Sequence, residues 1–318
     1  MTRVAAIFPG QGSQSVGMGV DVAACVPAAR EIFERAQRVL GYDLLALVRE
    51  GPEERLRETE FSQPAIFTTN VALFAACEPD LHVVVSAGHS FAEFCSLTVA
   101  RALSFEDALR VVDERAKAMQ EAARAAAGGM AAILGLEAEH VRPVIERLRR
   151  ERGTCLQLAN FNSPTQIVIS GDLASVQAAG DALLEAGAKR VVPLNVSGAW
   201  HSELMRPAVE RFAAAVDAAH FSLPIVDVVS NVDGIAYRDV ESIKRNLVRS
   251  ITDEVRWHET AERVLSYDPE LVVEFGASPV LTSLMRRLPG VPRILGVSDM
   301  QGVASLRAAL DERLESPA

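Results

Sequence analysis

The chain has 318 residues, 49% of them apolar, and a formal charge of -10 at pH 7. That length holds one large domain or two unequal ones with a sizeable core. The acidic balance weighs against nucleic acid or an anionic membrane surface as the main partner.

In chain order, residues 4–8 read as a buried strand, followed by the glycine-rich loop Pro9-Gly10-Gln11-Gly12-Ser13-Gln14. This apolar run is too short for a signal sequence, and no later segment reaches membrane-spanning length, so a cytoplasmic location is expected. Helical patterns cover 20–48 and 64–78. A strand at 82–86 precedes a helix at 94–102, and a further helix spans 105–125. The rhythm then changes to a strand at 130–134, a charged amphipathic helix at 137–151, strands at 155–160 and 166–170, a helix at 173–186 and a strand at 190–195. The order β-α-β-β-α-β predicts a ferredoxin-like unit. It is expected to be a small subdomain, 129–197, inserted into a larger one made of 1–128 and 198–318. The larger part resumes with a helix at 204–218, a strand at 226–230, helices at 240–250 and 257–265, and strands at 271–275 and 293–297, each followed by a helix. Strands alternating with helices imply a mainly parallel sheet covered on both faces, an α/β fold. Four cysteines, Cys25, Cys77, Cys95 and Cys155, lack metal-site spacing and sit among apolar neighbours. They read as small buried hydrophobes.

The segment with most chemistry in it is Ala87-Gly88-His89-Ser90-Phe91-Ala92-Glu93, between a strand and a helix. A serine on such a turn has the geometry of a nucleophile elbow, with the following N–H groups placed to hold an oxyanion. This predicts covalent acyl chemistry. His201, in Gly198-Ala199-Trp200-His201-Ser202, is the leading base. His82, His140, His220 and His258 fall at element edges or on solvated faces, and His89 is expected to pack beside the turn. Taken alone, Ser90 is equally an ordinary serine in a turn, and Arg115, beside Asp113, Glu114 and Lys117, reads as one charge on a solvated helix face.

Taken together, the motifs resemble the malonyl-CoA:acyl-carrier-protein transacylases, the FabD-type acyltransferase family. The resemblance covers essentially the whole chain. It is carried by Phe8-Pro9-Gly10-Gln11-Gly12-Ser13-Gln14, by Gly88-His89-Ser90-Phe91-Ala92-Glu93, by Arg115 with Met119-Gln120, by Gly129-Met130-Ala131-Ala132, by Asn160-Phe161-Asn162-Ser163-Pro164, and by His201-Ser202 with Met205. It implies an α/β-hydrolase-like domain with the ferredoxin-like insertion. Ser90 would be the acylated nucleophile, His201 the general base and acid, and the backbone N–H groups of Gln11 and Phe91 the oxyanion hole. Arg115 would pair with the free malonyl carboxylate, for which a guanidinium offers two parallel donors. The carbonyl of Ser250, before Val255-Arg256-Trp257, would orient the histidine. Asn162 and Gln166 are expected to line the same cleft, and Trp200 to fill space that a branched acyl unit needs, favouring plain malonyl.

The sequence departs from the family pattern at Ala92, where glycine normally stands, and at Ala116, where glycine is common. The resemblance further implies malonyl-CoA and acyl carrier protein as partners and no metal or redox cofactor. A local patch of Lys189, Arg190, Arg286 and Arg287 is the candidate carrier-protein docking surface. An acyl-carrier-protein hydrolase of the same fold, a free-standing polyketide acyltransferase and a non-catalytic module are the alternatives. The intact Ser90, His201 and Arg115 set argues against the first and the last.

Overall fold

The computed structural model describes residues 1–314. Among the described residues, nine strands form two sheets. Strands β1 (Arg3–Phe8) and β2 (His82–Gly88) belong to the first. Strands β3 (Gly128–Leu134), β4 (Leu156–Ser163), β5 (Gln166–Asp172) and β6 (Arg190–Pro193) make the second. Strands β7 (Asp227–Val228), β8 (Leu271–Phe275) and β9 (Arg293–Val297) return to the first. The first sheet is parallel, in the order β7-β2-β1-β8-β9. The second is antiparallel, in the order β4-β5-β3-β6, which is the ferredoxin-like arrangement. The expected α/β class, with a parallel sheet and a ferredoxin-like companion, is what the chain adopts.

The apolar run of β1 is explained by burial on both faces. Val4, Ala6 and Phe8 point into one apolar layer with the long helices Thr59–Ala75 and Phe105–Ala125. Ala5 and Ile7 point into the other, with Trp257, Ala261, Leu281 and Met285. The second sheet is used differently. Ala131, Ile133, Ile167 and Ile169 pack on its own helices, Ala138–Arg152 and Leu173–Glu185. Met130 and Val168, on the opposite face, line a cleft between the sheets. Strand β4 is tied to the large body at Val255, whose N–H donates to Ala159 O at 2.8 Å and whose carbonyl accepts from Phe161 N–H at 2.8 Å.

Several expected elements differ in extent. The helical pattern at 20–48 is three helices, Val20–Cys25, Pro27–Leu40 and Leu44–Glu50. Pro27 starts the second and Gly41, in the left-handed region at φ 76°, ends it. The helix expected from 64 begins at Thr59, because Ser62 and Gln63 are buried polar residues with no apolar signal and Pro64 lies inside the helix. The stretch 204–218 is a 3₁₀ segment, Glu203–Ala208, containing Pro207, before the helix Val209–Ala218. The strand expected at 226–230 pairs only over Asp227–Val228. The cysteines also need correction. Cys77 and Cys95 are buried, but Cys25 is exposed and Cys155 half-buried, and all four are free. Among the described residues no helix is long and apolar enough to cross a membrane.

Candidate active site

The cleft opens at the C-terminal ends of β1 and β2, where ligands of parallel sheets characteristically sit. Its volume is about 430 Å³, and its walls include Gln11, His89, Ser90, Arg115, Trp200 and His201. Ser90 begins a 3₁₀ turn, Ser90–Ala92, that leads into the helix Glu93–Val99. Its φ of 56° is left-handed, a conformation that costs a non-glycine residue roughly 1–2 kcal/mol. The tightness of the elbow explains Gly88, since a Cβ there would sit 2.0 Å from the carbonyl oxygen of Ala92. Gly10 lets the first loop press on the same turn, because its Cβ would lie 2.6 Å from His89 O. Ala92 itself is fully buried in the large apolar layer, so its extra methyl packs into the core.

Ser90 Oγ lies 2.8 Å from Nε2 of His201. The other ring nitrogen, Nδ1, lies 2.8 Å from the carbonyl oxygen of Ser250, at the C-terminal end of the helix Val240–Arg249. A carbonyl only accepts, so Nδ1 carries the proton and Nε2 turns its lone pair to the serine hydroxyl. Burial pushes the His201 pKa down to about 3, helped by the charges of Arg115 and His89 and opposed by the Ser250 carbonyl. The ring is therefore neutral at physiological pH, with the Nε2 lone pair free to take a proton. Gln157 of β4 donates to the carbonyls of both His201 and Thr252, at 3.2 and 3.0 Å, fixing the imidazole loop to the second sheet.

Arg115 does not lie on a solvated face. The side chain is 1% exposed and borders the cleft. Nη1 donates to Gln63 Oε1 at 2.9 Å, while Nε and Nη2 have no partner among the described residues. Its carbon centre stands 6.0 Å from the rings of both Phe91 and Phe212. Burial lowers its pKa to about 9, against the favourable charge of Glu93, which leaves it cationic at pH 7. A buried charge with two unmatched donors is costly unless an anion completes it.

The remaining expected residues fall as follows. Gln11 lies in the cleft wall, its side chain bonded to Thr59 Oγ1 at 3.1 Å. The side chain of Phe91 is in the core at 2% exposure, and Phe91 is not among the residues that line the cleft. Trp200, Asn162 and Gln166 line the cleft. Asn162 Oδ1 is 3.0 Å from Nε2 of His89, whose ring also packs on Trp257. Of the four basic residues considered for docking, Arg287 lines the cleft, while Lys189, Arg190 and Arg286 are exposed. Sequence reasoning missed Gln63 as the partner of Arg115, Gln157 as the tie to the imidazole loop, and the buried set Glu93, Asn231 and Tyr237 behind the elbow. Only Glu93 carried a signal, as part of the elbow motif.

A parallel sheet with a serine elbow, a neutral imidazole on the serine and a buried cation facing the same cleft defines a serine-dependent acyl-transfer protein. The acyl transferase domain family matches residues 6–302, and the chain belongs to that family. It is 40% identical over 314 residues to the malonyl CoA-acyl carrier protein transacylase of Salmonella typhimurium, covering 98% of this chain and 100% of the relative. The crystal structure of an acyl carrier protein S-malonyltransferase from Vibrio cholerae superposes with a TM-score of 0.91 at 37% identity, covering 95% of this chain and 99% of that one. A malonyl-transacylase solved with its type II polyketide acyl-carrier protein gives a TM-score of 0.92 at 37% identity, covering 98% and 100%.

Proposed function

We propose that this protein transfers a malonyl group from malonyl-CoA to the phosphopantetheine thiol of an acyl carrier protein, for fatty-acid or polyketide synthesis, through an ester on Ser90. The observation that carries this reading is the pairing, in one cleft, of a serine 2.8 Å from a neutral imidazole with a buried guanidinium that has two donors unmatched. The near full-length likeness to malonyl transacylases supports it.

Arg115 holds the free carboxylate and so places the thioester carbonyl over Ser90. His201 Nε2 takes the hydroxyl proton as Oγ attacks that carbonyl. The tetrahedral oxyanion is held by the N–H groups of Gln11 and Phe91. Collapse breaks the carbon–sulfur bond, and the departing coenzyme A sulfur receives the proton from His201. The carrier-protein thiol then gives its proton to His201 and attacks the Ser90 ester. The malonyl thioester leaves and the serine recovers its proton, a ping-pong sequence. No step needs a metal or redox cofactor. Trp200 narrows the space beside the acyl carbon, Asn162 and Gln166 line the entry, and the four basic residues offer the acidic carrier protein a docking surface. A reducing cytoplasmic setting suits the four free thiols.

The test is intact-mass measurement of Ser90 acylation by malonyl-, methylmalonyl- and acetyl-CoA in wild type and Arg115→Ala. The variant is expected to lose malonyl loading by roughly 10²–10³-fold and acetyl loading by only a few-fold. Equal losses overturn the carboxylate clamp, and no wild-type adduct on Ser90 overturns the whole reading.

A further inference from the structure

Behind the elbow, away from the cleft, lies a buried polar cluster that the mechanism above does not use. Asn231 is fully buried in the loop after β7, and Glu93 and Tyr237 are almost so. Each polar atom of Asn231 has a partner. Its Oδ1 accepts from the backbone N–H of Ser90 at 3.1 Å. Its Nδ2 donates to Gly88 O and to Glu93 Oε2, both at 2.6 Å. Its own N–H donates to the same carboxylate oxygen at 2.8 Å, and its carbonyl accepts from Arg256 N–H at 2.8 Å. The hydroxyl of Tyr237 donates to the other oxygen, Glu93 Oε1. Only one orientation of the amide satisfies this set, because the two acceptors must face the NH₂ group and the Ser90 N–H must face the oxygen.

We propose that Asn231, aligned by the Glu93 carboxylate, is a positioning residue for the nucleophile. It spans the turn from Gly88 to Ser90, holds Ser90 in the left-handed conformation that aims Oγ at His201, and keeps the Ser90 N–H out of the oxyanion hole. The left-handed conformation of Ser90 is unfavourable on its own. The Asn231 side chain bonds to the carbonyl of Gly88 and to the N–H of Ser90, the backbone groups on either side of His89 that lead into the strained residue. Glu93 acts one step further back, as the acceptor that fixes the amide. The loop that carries Asn231 also bonds through Arg256 to the segment that follows Ser250. Nucleophile and imidazole support are therefore referenced to one another through Asn231.

The inference rests on Ser90 being the acylated residue, and the experiment separates the two. Malonyl-CoA acylation of Ser90 is followed by quenched-flow mass spectrometry in wild type, Asn231→Ala, Glu93→Ala, Glu93→Gln and the double variant with both alanines, each scaled to its folded fraction. The two single alanine variants are expected to slow the acylation rate constant by roughly 10- to 100-fold, as a misplaced reacting group does, with the malonyl-CoA concentration for half-saturation unchanged in Asn231→Ala, which leaves both Arg115 and the charge of Glu93 in place. The double variant is expected to be no slower than the worse single one, since both act on one unit. Glu93→Gln, which keeps an acceptor for Asn231, is expected to recover most of the rate lost in Glu93→Ala. Wild-type acylation rates in the folded single variants, or losses that multiply in the double variant, overturn the proposal while leaving the function intact. If Asn231→Ala does not fold, the contrast between Glu93→Ala and Glu93→Gln decides. A loss in Glu93→Ala that Glu93→Gln does not recover then counts against it. Absence of wild-type acylation sinks the parent reading instead.

Discussion

The two ends of the cleft are built on opposite plans. At the Ser90 end the serine N–H, the serine hydroxyl and both imidazole nitrogens each meet a partner. At the Arg115 end one guanidinium nitrogen is matched by Gln63 and two are left over. The first end is finished before any substrate arrives, so little reorganisation is needed when charge develops. The second is incomplete, so its binding free energy is realised only by a ligand bearing an anion at the right distance from the thioester. Chemistry and selectivity are thereby assigned to different side chains.

His201→Ala attacks the finished end and carries the largest expected effect, a loss of roughly 10²–10⁴-fold in Ser90 acylation with little change in half-saturation by malonyl-CoA. Rapid-quench kinetics check both parts. The same end sets the pH response. With the His201 pKa held near 3, the neutral form that accepts the serine proton persists down to acidic pH and is lost only as pH falls through that value. The acylation rate is expected to show no histidine limb between pH 5 and 8. A limb near the ordinary histidine value would mean that the imidazole is solvated during turnover.

Gln63→Leu sharpens the comparison from the incomplete end. It removes the only hydrogen-bond partner of the guanidinium among the described residues and is expected to raise half-saturation by malonyl-CoA by about 10-fold or more, the scale of a hydrogen bond to a charged group. Acetyl loading should be nearly unaffected. A smaller effect is expected for Trp200→Leu, which should shift the preference for malonyl over methylmalonyl-CoA by about 10-fold, since one methyl group is worth little more. Competition between the two thioesters measures it directly.

Much of this arrangement was legible in the residues. The parallel strands announced themselves because β1 and β8 are buried on both faces, β1 carrying an unbroken apolar run over 4–8 and β8 one interrupted only by Glu274. The ferredoxin-like order followed from the change of rhythm after the helix Phe105–Ala125. Ser90, His201 and Arg115 stood out through motif context. What stayed hidden was polar and buried. Gln63 lies in a helix with no polar face, so periodicity gave no reason to look at it. Arg115 sits among charged neighbours in sequence, and nothing local says that it alone turns inward. Asn231 contacts Ser90 across 141 positions of chain, a separation at which no local pattern operates. The two-residue β7 was overread because Val228 and Val229 are both buried in the core while the pairing with β2 covers only Asp227–Val228.

The seam at Val255 has a kinetic meaning. Strand β4 is stitched to the polypeptide just beyond Ser250, and Gln157 of that strand grips the carbonyl of His201. An acyl chain thick enough to wedge the two sheets apart would drag the proton acceptor with the moving wall. Oversized thioesters would then be admitted yet turned over slowly, so that discrimination against bulk is expressed as sluggish reaction after entry more than as exclusion at the door.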